Sequence, residues 1–260
     1  MLETDASGRP RRRTALIDLE LERTNVDIAA LQETRLSGKG NLREKERTFF
    51  WVGCPEGQRR TAGVVFAIRN SLADKLTENP RGVSERIITL RIEMSRNRHI
   101  TLINVYSPTM TYPEETKEAF YAQLRELVAN VPASDKLVLL RDFNARVGYD
   151  SLTWSPVLCQ FGRGNSNENG NLLLCLCSEL DLAIANTYFK HQENPFFSWT
   201  HPRSKRPHLI DYIIIRRKDL QDTKNVRAMF VRTLVGTGSR STAFKELPVS
   251  LFFSAYITQK

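Results

Sequence analysis

No stretch of this 260-residue chain is apolar for the ~18–20 residues that a membrane-spanning helix requires. The opening MLETDASGRPRRR has no apolar core of the secretory kind. Cysteine is sparse. Cys54, Cys159, Cys175 and Cys177 form no C-x-x-C pair and have no histidine at zinc spacing, which argues against a disulfide framework or a structural zinc site. They read as reduced, partly buried thiols. Acid is also in deficit, since 29 Asp and Glu face 38 Lys and Arg, a net charge of +9 with a pI near 9.6. That balance suits a polyanion such as DNA, or marks a soluble protein that is merely basic. Arg9, Arg11, Arg12 and Arg13 suit phosphate contact, a nuclear signal or a solvated helix start. No membrane partner is expected. The location expected is intracellular, the nucleus ahead of the cytoplasm.

What the chain does have is a patterned succession of apolar runs. Strands are expected at 27–32, 48–53, 62–69, 86–94, 100–106, 136–141, 182–187 and 208–215, many of them β-branched and bounded by Gly, Pro or Asn. Helices are expected at 13–24, with Leu16 and Leu19 on one side, and at 171–180. The clearest is 113–131, where Pro113 suits the first helical position and Phe120, Leu124, Leu127, Val128 and Val131 share a face. Residues 150–170, rich in Gly, Asn and Ser, read as a loop. Many strands with few helices predict a layered α/β sandwich of two packed sheets with helices outside.

Five segments could carry chemistry. KLVLLRDFNARVG (136–148) is a buried strand ending in Asp142 and Asn144, which point to the same side if the segment stays extended. LQETR (31–35) brings Glu33 to a strand end, as a metal ligand or an ordinary terminal acid. Tyr106 ends another strand, to bind phosphate or to cap the core with its hydroxyl. The amide-rich NSNENGNLLL (165–174) opens a helix, as an anion site or as simple capping. Asp211 stands inside the apolar strand HLIDYI and therefore needs a partner.

The order and spacing of these segments resemble the endonuclease/exonuclease/phosphatase superfamily, whose GDFNAR motif matches 141–146 except that Arg141 replaces its glycine. DIAALQETR, GVVFAIRN, ERIITLRI and WTHPRSKRPHLIDYIIIRRKDLQD bring the match closest to the endonuclease domain of RTE/BovB-type non-LTR retrotransposons. The similarity spans residues 12–229, between a basic segment 1–11 and a divergent tail 230–260. The resemblance implies a four-layer α/β sandwich and phosphodiester hydrolysis with Mg²⁺ or Mn²⁺. By position, Glu33 would hold the metal and Asp142 would orient the attacking water. Asn144 and Tyr106 would steady the phosphate, Asp211 would support a histidine or metal-bound water, and Asn169 and Arg35 would contact substrate.

Three departures from the pattern bear on activity. The family's C-terminal Ser-Asp-His motif has no counterpart here: the last histidine is His208 and no aspartate follows Asp222. The family's opening strand, with its active-site asparagine, is missing. Arg141 beside Asp142 should crowd the site or pair with the aspartate and displace the metal. The expectation is an impaired DNA endonuclease-like domain, with a non-catalytic nucleic-acid- or protein-binding module as the alternative reading. The circular-dichroism spectrum should show mixed strand and helix, and a mostly helical one would overturn the fold assignment.

Overall fold

The computed structural model describes residues 13–95, 97–190, 198–200 and 207–223, together with the backbone of three two-residue strands beyond them. The first sheet collects β1 (Ile28–Leu31), β2 (Lys39–Arg43), β3 (Arg47–Val52) and β4 (Val64–Arg69). The second collects β5 (Arg81–Ser84), β6 (Ile87–Ser95), β7 (Arg98–Tyr106), β8 (Lys136–Asp142), β9 (Leu182–Ile184) and β12 (Asp211–Arg216). A small ribbon of β10 (Trp199–Thr200) and β11 (Pro207–His208) leads into β12. Beyond it β13 (Val231–Arg232) pairs with β14 (Glu246–Leu247), and β15 (Phe252–Phe253) lies against β1 at Ile28 and Ala29. The helices are α1 (Arg13–Arg23), the single turn α2 (Asn70–Ala73), α3 (Glu114–Ala129) and α4 (Glu168–Glu179).

Side-chain alternation divides these elements into four layers. In β8, Leu137 and Leu139 face α3 and α4, while Val138 and Leu140 face the other sheet. In β12, Tyr212 and Ile214 face the helices, while Ile213 and Ile215 face the sheet. In β4, Val64, Phe66 and Ile68 fill the space between the sheets, while Val65 and Ala67 meet α1. Three apolar cores therefore separate α1, the first sheet, the second sheet and the α3–α4 pair, which is the four-layer α/β sandwich expected from the sequence.

Sheet order decides where the chemistry can sit. The first sheet runs β15-β1-β4-β3-β2 and the second β5-β6-β7-β8-β12-β9. β7 and β8 are parallel, with Tyr106 level with Asp142. β12 runs antiparallel to β8 and opens with Asp211 opposite Asp142. The C-terminal ends of β7 and β8 and the start of β12 thus share one edge.

Several expectations shift. The edge strands β2 and β5 went unread because KGNLR and RGVS alternate no apolar residues. The strand expected at 182–187 ends at Ile184 and tightens into a 3₁₀ turn through Thr187, and that expected at 208–215 begins only at Asp211. In α1 the expected Leu19 face is wrong: Asp18 and Leu21 are buried and Leu19 is exposed. α3 begins at Glu114, with Pro113 as its capping residue. α4 begins earlier than expected because the Asn167 side chain caps it by accepting the Gly170 N–H at 2.8 Å. All four cysteines are free, and of them Cys175 is exposed and Cys54 and Cys177 are buried.

Asp18 is buried to meet Arg47, whose guanidinium donates to Asp18 at 3.2 Å, to Glu22 at 3.1 Å and to the Val26 carbonyl at 3.1 Å. Removing one member of such a pair leaves an uncompensated buried charge. Asp18→Ala should therefore lower the unfolding free energy by about 3 kcal/mol in urea titration, loosening α1 from the first sheet.

Candidate functional site

Each strand end delivers one polar side chain to the shared edge. β1 runs out through Gln32 to Glu33, which is exposed. The Tyr106 hydroxyl, at the end of β7, donates to Glu33 Oε1 at 3.0 Å across the gap between the sheets. Asp142 and Asp211 occupy directly opposed ladder positions, and the fields of Asp211 and Glu33 both reach Asp142. Glu33, Tyr106, Asp142 and Asp211 are thereby brought together. Asn144 joins them: its N–H donates to Asp142 Oδ1 at 2.8 Å and its side-chain amide to the Ser107 carbonyl at 2.8 Å.

The carboxyl of Asp142 is held well above the usual carboxylate range. Burial is the first cause, and the neighbouring charges of Asp211 and Glu33 add to it. The Asn144 N–H and Arg141 pull the other way. Burial and Glu33 likewise push the Tyr106 phenol upward.

Arg141 itself lies inside the molecule, 1 % exposed. Its φ of +102° breaks the alternation of β8 and turns the side chain toward the first sheet, where Nε donates to the Ala30 carbonyl at 2.6 Å. It also lies in the fields of Asp211 and Asp142. Its Nη1 has no hydrogen-bond partner among the described residues.

The two remaining expected contacts differ in depth. Arg35 is exposed on the rim two residues past Glu33. Asn169 is wholly buried and donates to the Asn144 carbonyl at 3.1 Å and the Pro108 carbonyl at 3.0 Å, so it positions Asn144 from below. Asn169 Oδ1, like Thr34 Oγ1 beside Glu33, is buried without a partner among the described residues. His201, Arg203, Lys205 and Arg206 lie outside the described residues, as do arginines 9–12.

Local backbone conformation concentrates here. Among the described residues seven non-glycine residues have positive φ, and Glu33, Arg35, Arg141 and Asn144 are four of them. Such conformations cost about 1–3 kcal/mol each and gather where surrounding structure imposes a functional arrangement. Gly170 is fixed by close approach, because a Cβ there would lie 1.8 Å from the Arg146 carbonyl oxygen. That approach seats the start of α4, and so Asn169, against the site.

Sequence reasoning missed three supports. Arg86 is buried between the rings of Tyr106, at 5.3 Å, and Tyr112, at 4.9 Å. Ser198 accepts the N–H groups of Ile210 and Asp211 at 3.0 and 3.2 Å, setting the entry to β12. Asn167 ties the Arg146 N–H, at 2.8 Å, to the helix start. A buried arginine, a strand-entry serine and a helix-capping asparagine carry no periodic signal; the Asn-rich run was the visible hint.

The arrangement offers hard oxygen donors and a phenol, which suit a divalent cation or a phosphate. Yet among the described residues no three His, Cys, Asp or Glu side chains form a group that could hold a metal ion. Glu33 already accepts the hydrogen bond of the Tyr106 hydroxyl, and Asp142 and Asp211 have a guanidinium beside them. The donor set does not fit a divalent ion held by the protein alone.

The model of the Endonuclease/Exonuclease/phosphatase family matches residues 2–227. Craniofacial development protein 2 of Bos taurus is 29% identical over 205 residues, which make up 78% of this chain and 33% of that protein. The chain thus spans about a third of the curated relatives it matches. The AP endonuclease LMAP from Leishmania major superposes with a TM-score of 0.62 at 15% identity, covering 84% of this chain and 78% of the other. The endonuclease domain of TRAS1, a telomere-specific non-LTR retrotransposon, does so with 0.55 at 17% identity, covering 84% and 87%.

Because the folded state favours the protonated Asp142, its stability falls as pH rises through the raised value and is full below the ordinary one. Asp142→Asn should therefore raise the thermal midpoint at pH 7, and its advantage should vanish on acidification. An equal or lower midpoint at neutral pH would show that Asp142 is not destabilised there.

Proposed function

This chain belongs to the Endonuclease/Exonuclease/phosphatase family, and from that premise we propose that it is a DNA-directed phosphodiesterase domain with impaired hydrolytic machinery. The observation that carries the reading is the meeting of Glu33, Tyr106, Asp142 and Asp211 at one edge with the buried cation Arg141 beneath them. The carboxylates supply the polarity that phosphodiester hydrolysis uses, and Arg141 weakens their hold on a divalent ion. Glu33 would be the residue to meet Mg²⁺ or Mn²⁺, on which the family generally depends, with the substrate phosphate and water supplying the remaining oxygens. Asn144 and Tyr106 face the phosphate, Arg35 meets the nucleic acid backbone at the rim, and Asn169 acts through Asn144. Asp142 and Asp211 are the groups to orient an attacking water, and residues 223–260 contain no histidine or aspartate to assist them. Catalytic groups that act as a unit lose orders of magnitude in rate when one is lost.

The positive charge supports nucleic acid as the partner, with the nucleus as its setting. Exposed Arg35, Arg59 and Arg60 stand around the end of the first sheet that carries Glu33. The second reading is a non-catalytic binding module. The buried charge of Arg141 beside Asp142 favours it, because it opposes the approach of a second cation there.

In a plasmid-nicking assay with Mg²⁺ and an EDTA control, the chain should nick slowly or not at all, and Arg141→Gly alone should not restore full rates. Robust nicking that Asp142→Asn abolishes would establish an active nuclease instead. Binding to duplex DNA should weaken by roughly tenfold or more between ~50 and ~200 mM salt, as counterion release requires. An affinity indifferent to salt would remove the nucleic-acid reading.

A further inference from the structure

The segment between β8 and α4 rises from the site edge as a closed excursion. Its neck is a backbone bridge between Gly148 and Arg163, and its two ends carry Asn144 and Asn169. Its far limb is anchored: Val157 and Leu158 are buried, the Ile184 N–H donates to the Val157 carbonyl at 3.0 Å, and the Cys159 N–H donates to Thr187 Oγ1 at 2.9 Å. The tip is ordered too. Asp150 accepts the Thr153 N–H on its side chain at 3.0 Å and the Trp154 N–H on its carbonyl at 3.2 Å. On this rigid tip Leu152 is 94% exposed and Tyr149 66% exposed.

Among the described residues four large apolar side chains are exposed, and these are two of them. A third, Met110, lies on the β7–α3 connection, which leaves the same edge. Holding a leucine in water forgoes about 1.5–3 kcal/mol of burial, and folding gains nothing from it here. Tyr149 follows Asn144 by five residues, so the two are at most ~17 Å apart, about half a turn of duplex. A nucleic acid whose phosphate lies at Asn144 would therefore be within reach of the tip. The surroundings are cationic, with Arg146 at the neck and Arg163 closing it, against the acid Asp150, which is engaged in the turn. Apolar tips among arginines suit stacked bases behind a phosphate backbone better than the apolar groove of a protein.

We propose that Tyr149 and Leu152 form a wedge that enters between base steps of the DNA held at the site edge, unstacking them and bending the duplex. This rests on the nucleic-acid reading above and adds to it a second point of contact that reads base stacking. A loop already ordered loses little entropy on insertion, which is why rigidity matters to the argument.

The test uses the full 260-residue chain and a short duplex carrying 2-aminopurine, whose emission rises when it is unstacked. Binding of the unaltered protein should raise the emission. Tyr149→Ser with Leu152→Ser should abolish most of that rise and weaken binding by roughly tenfold, while leaving the thermal midpoint and the salt dependence unchanged. Salt-dependent binding with no emission rise, or a rise that survives both substitutions, overturns the wedge and leaves the nucleic-acid reading intact. No DNA binding at low salt overturns both. A double variant with normal DNA behaviour that has lost capture of a protein partner assigns the tip to that protein and also overturns the proposal.

Discussion

The two sheets are joined at the site edge by polar bonds, and the most consequential of them is the Arg141 guanidinium donating to the Ala30 carbonyl. Elsewhere apolar side chains fill the space between the sheets. Here Asn104, wholly buried on β7, donates to the Leu31 and Val65 carbonyls at 3.2 and 2.9 Å and accepts from Gln32 at 2.8 Å. Arg141 and Asn104 together fix the end of β1 against the ends of β7 and β8. That distance sets whether Glu33 can reach Tyr106. Burying a guanidinium is costly unless it is compensated, and the charge of Asp211 is the first to oppose it. An acid at the edge thus opposes the charge of the cation that ties β8 to β1.

This gives the acids a structural role beside any chemical one. A carboxylate cluster with a bound metal is neutralised from the solvent side. Here part of the neutralisation comes from the interior, through a residue that is a glycine in the family's motif. The fold alone would not distinguish the two situations, since the LMAP and TRAS1 structures share the architecture at only 15% and 17% identity. The difference lies in one side chain and the backbone conformation that aims it.

Much of the fold was legible because it is periodic. Leu137 to Leu140 could be read as a strand buried on both faces, and Phe120, Leu124 and Val128 as one helix face. The positions of Glu33, Tyr106 and Asp142 at strand ends were legible, whereas Asp211 read as the interior of its strand and reaches the edge because β12 begins there. What was not legible depends on contacts between residues far apart in sequence. Leu19 looked like the core side of α1 until Arg47 claimed Asp18 for the interior. Arg141 reads as the end of an apolar run, and nothing local reveals that a left-handed backbone would send it across to β1. Asn169 looks like any surface amide in an Asn-rich loop. Only the packing of Gly170 on the Arg146 carbonyl buries it.

The positive φ angles at Glu33, Arg35, Arg141 and Asn144 have a consequence for how this sequence can change. Glu33, Arg35 and Asn144 are positions where glycine would relax the backbone, so a lineage or a laboratory selection rewarded for heat tolerance alone has three cheap steps open to it, whereas at Arg141 the side chain is itself the strut between the sheets. Each of those three steps erases a polar side chain at the edge. The site would dissolve while the sandwich grew sturdier.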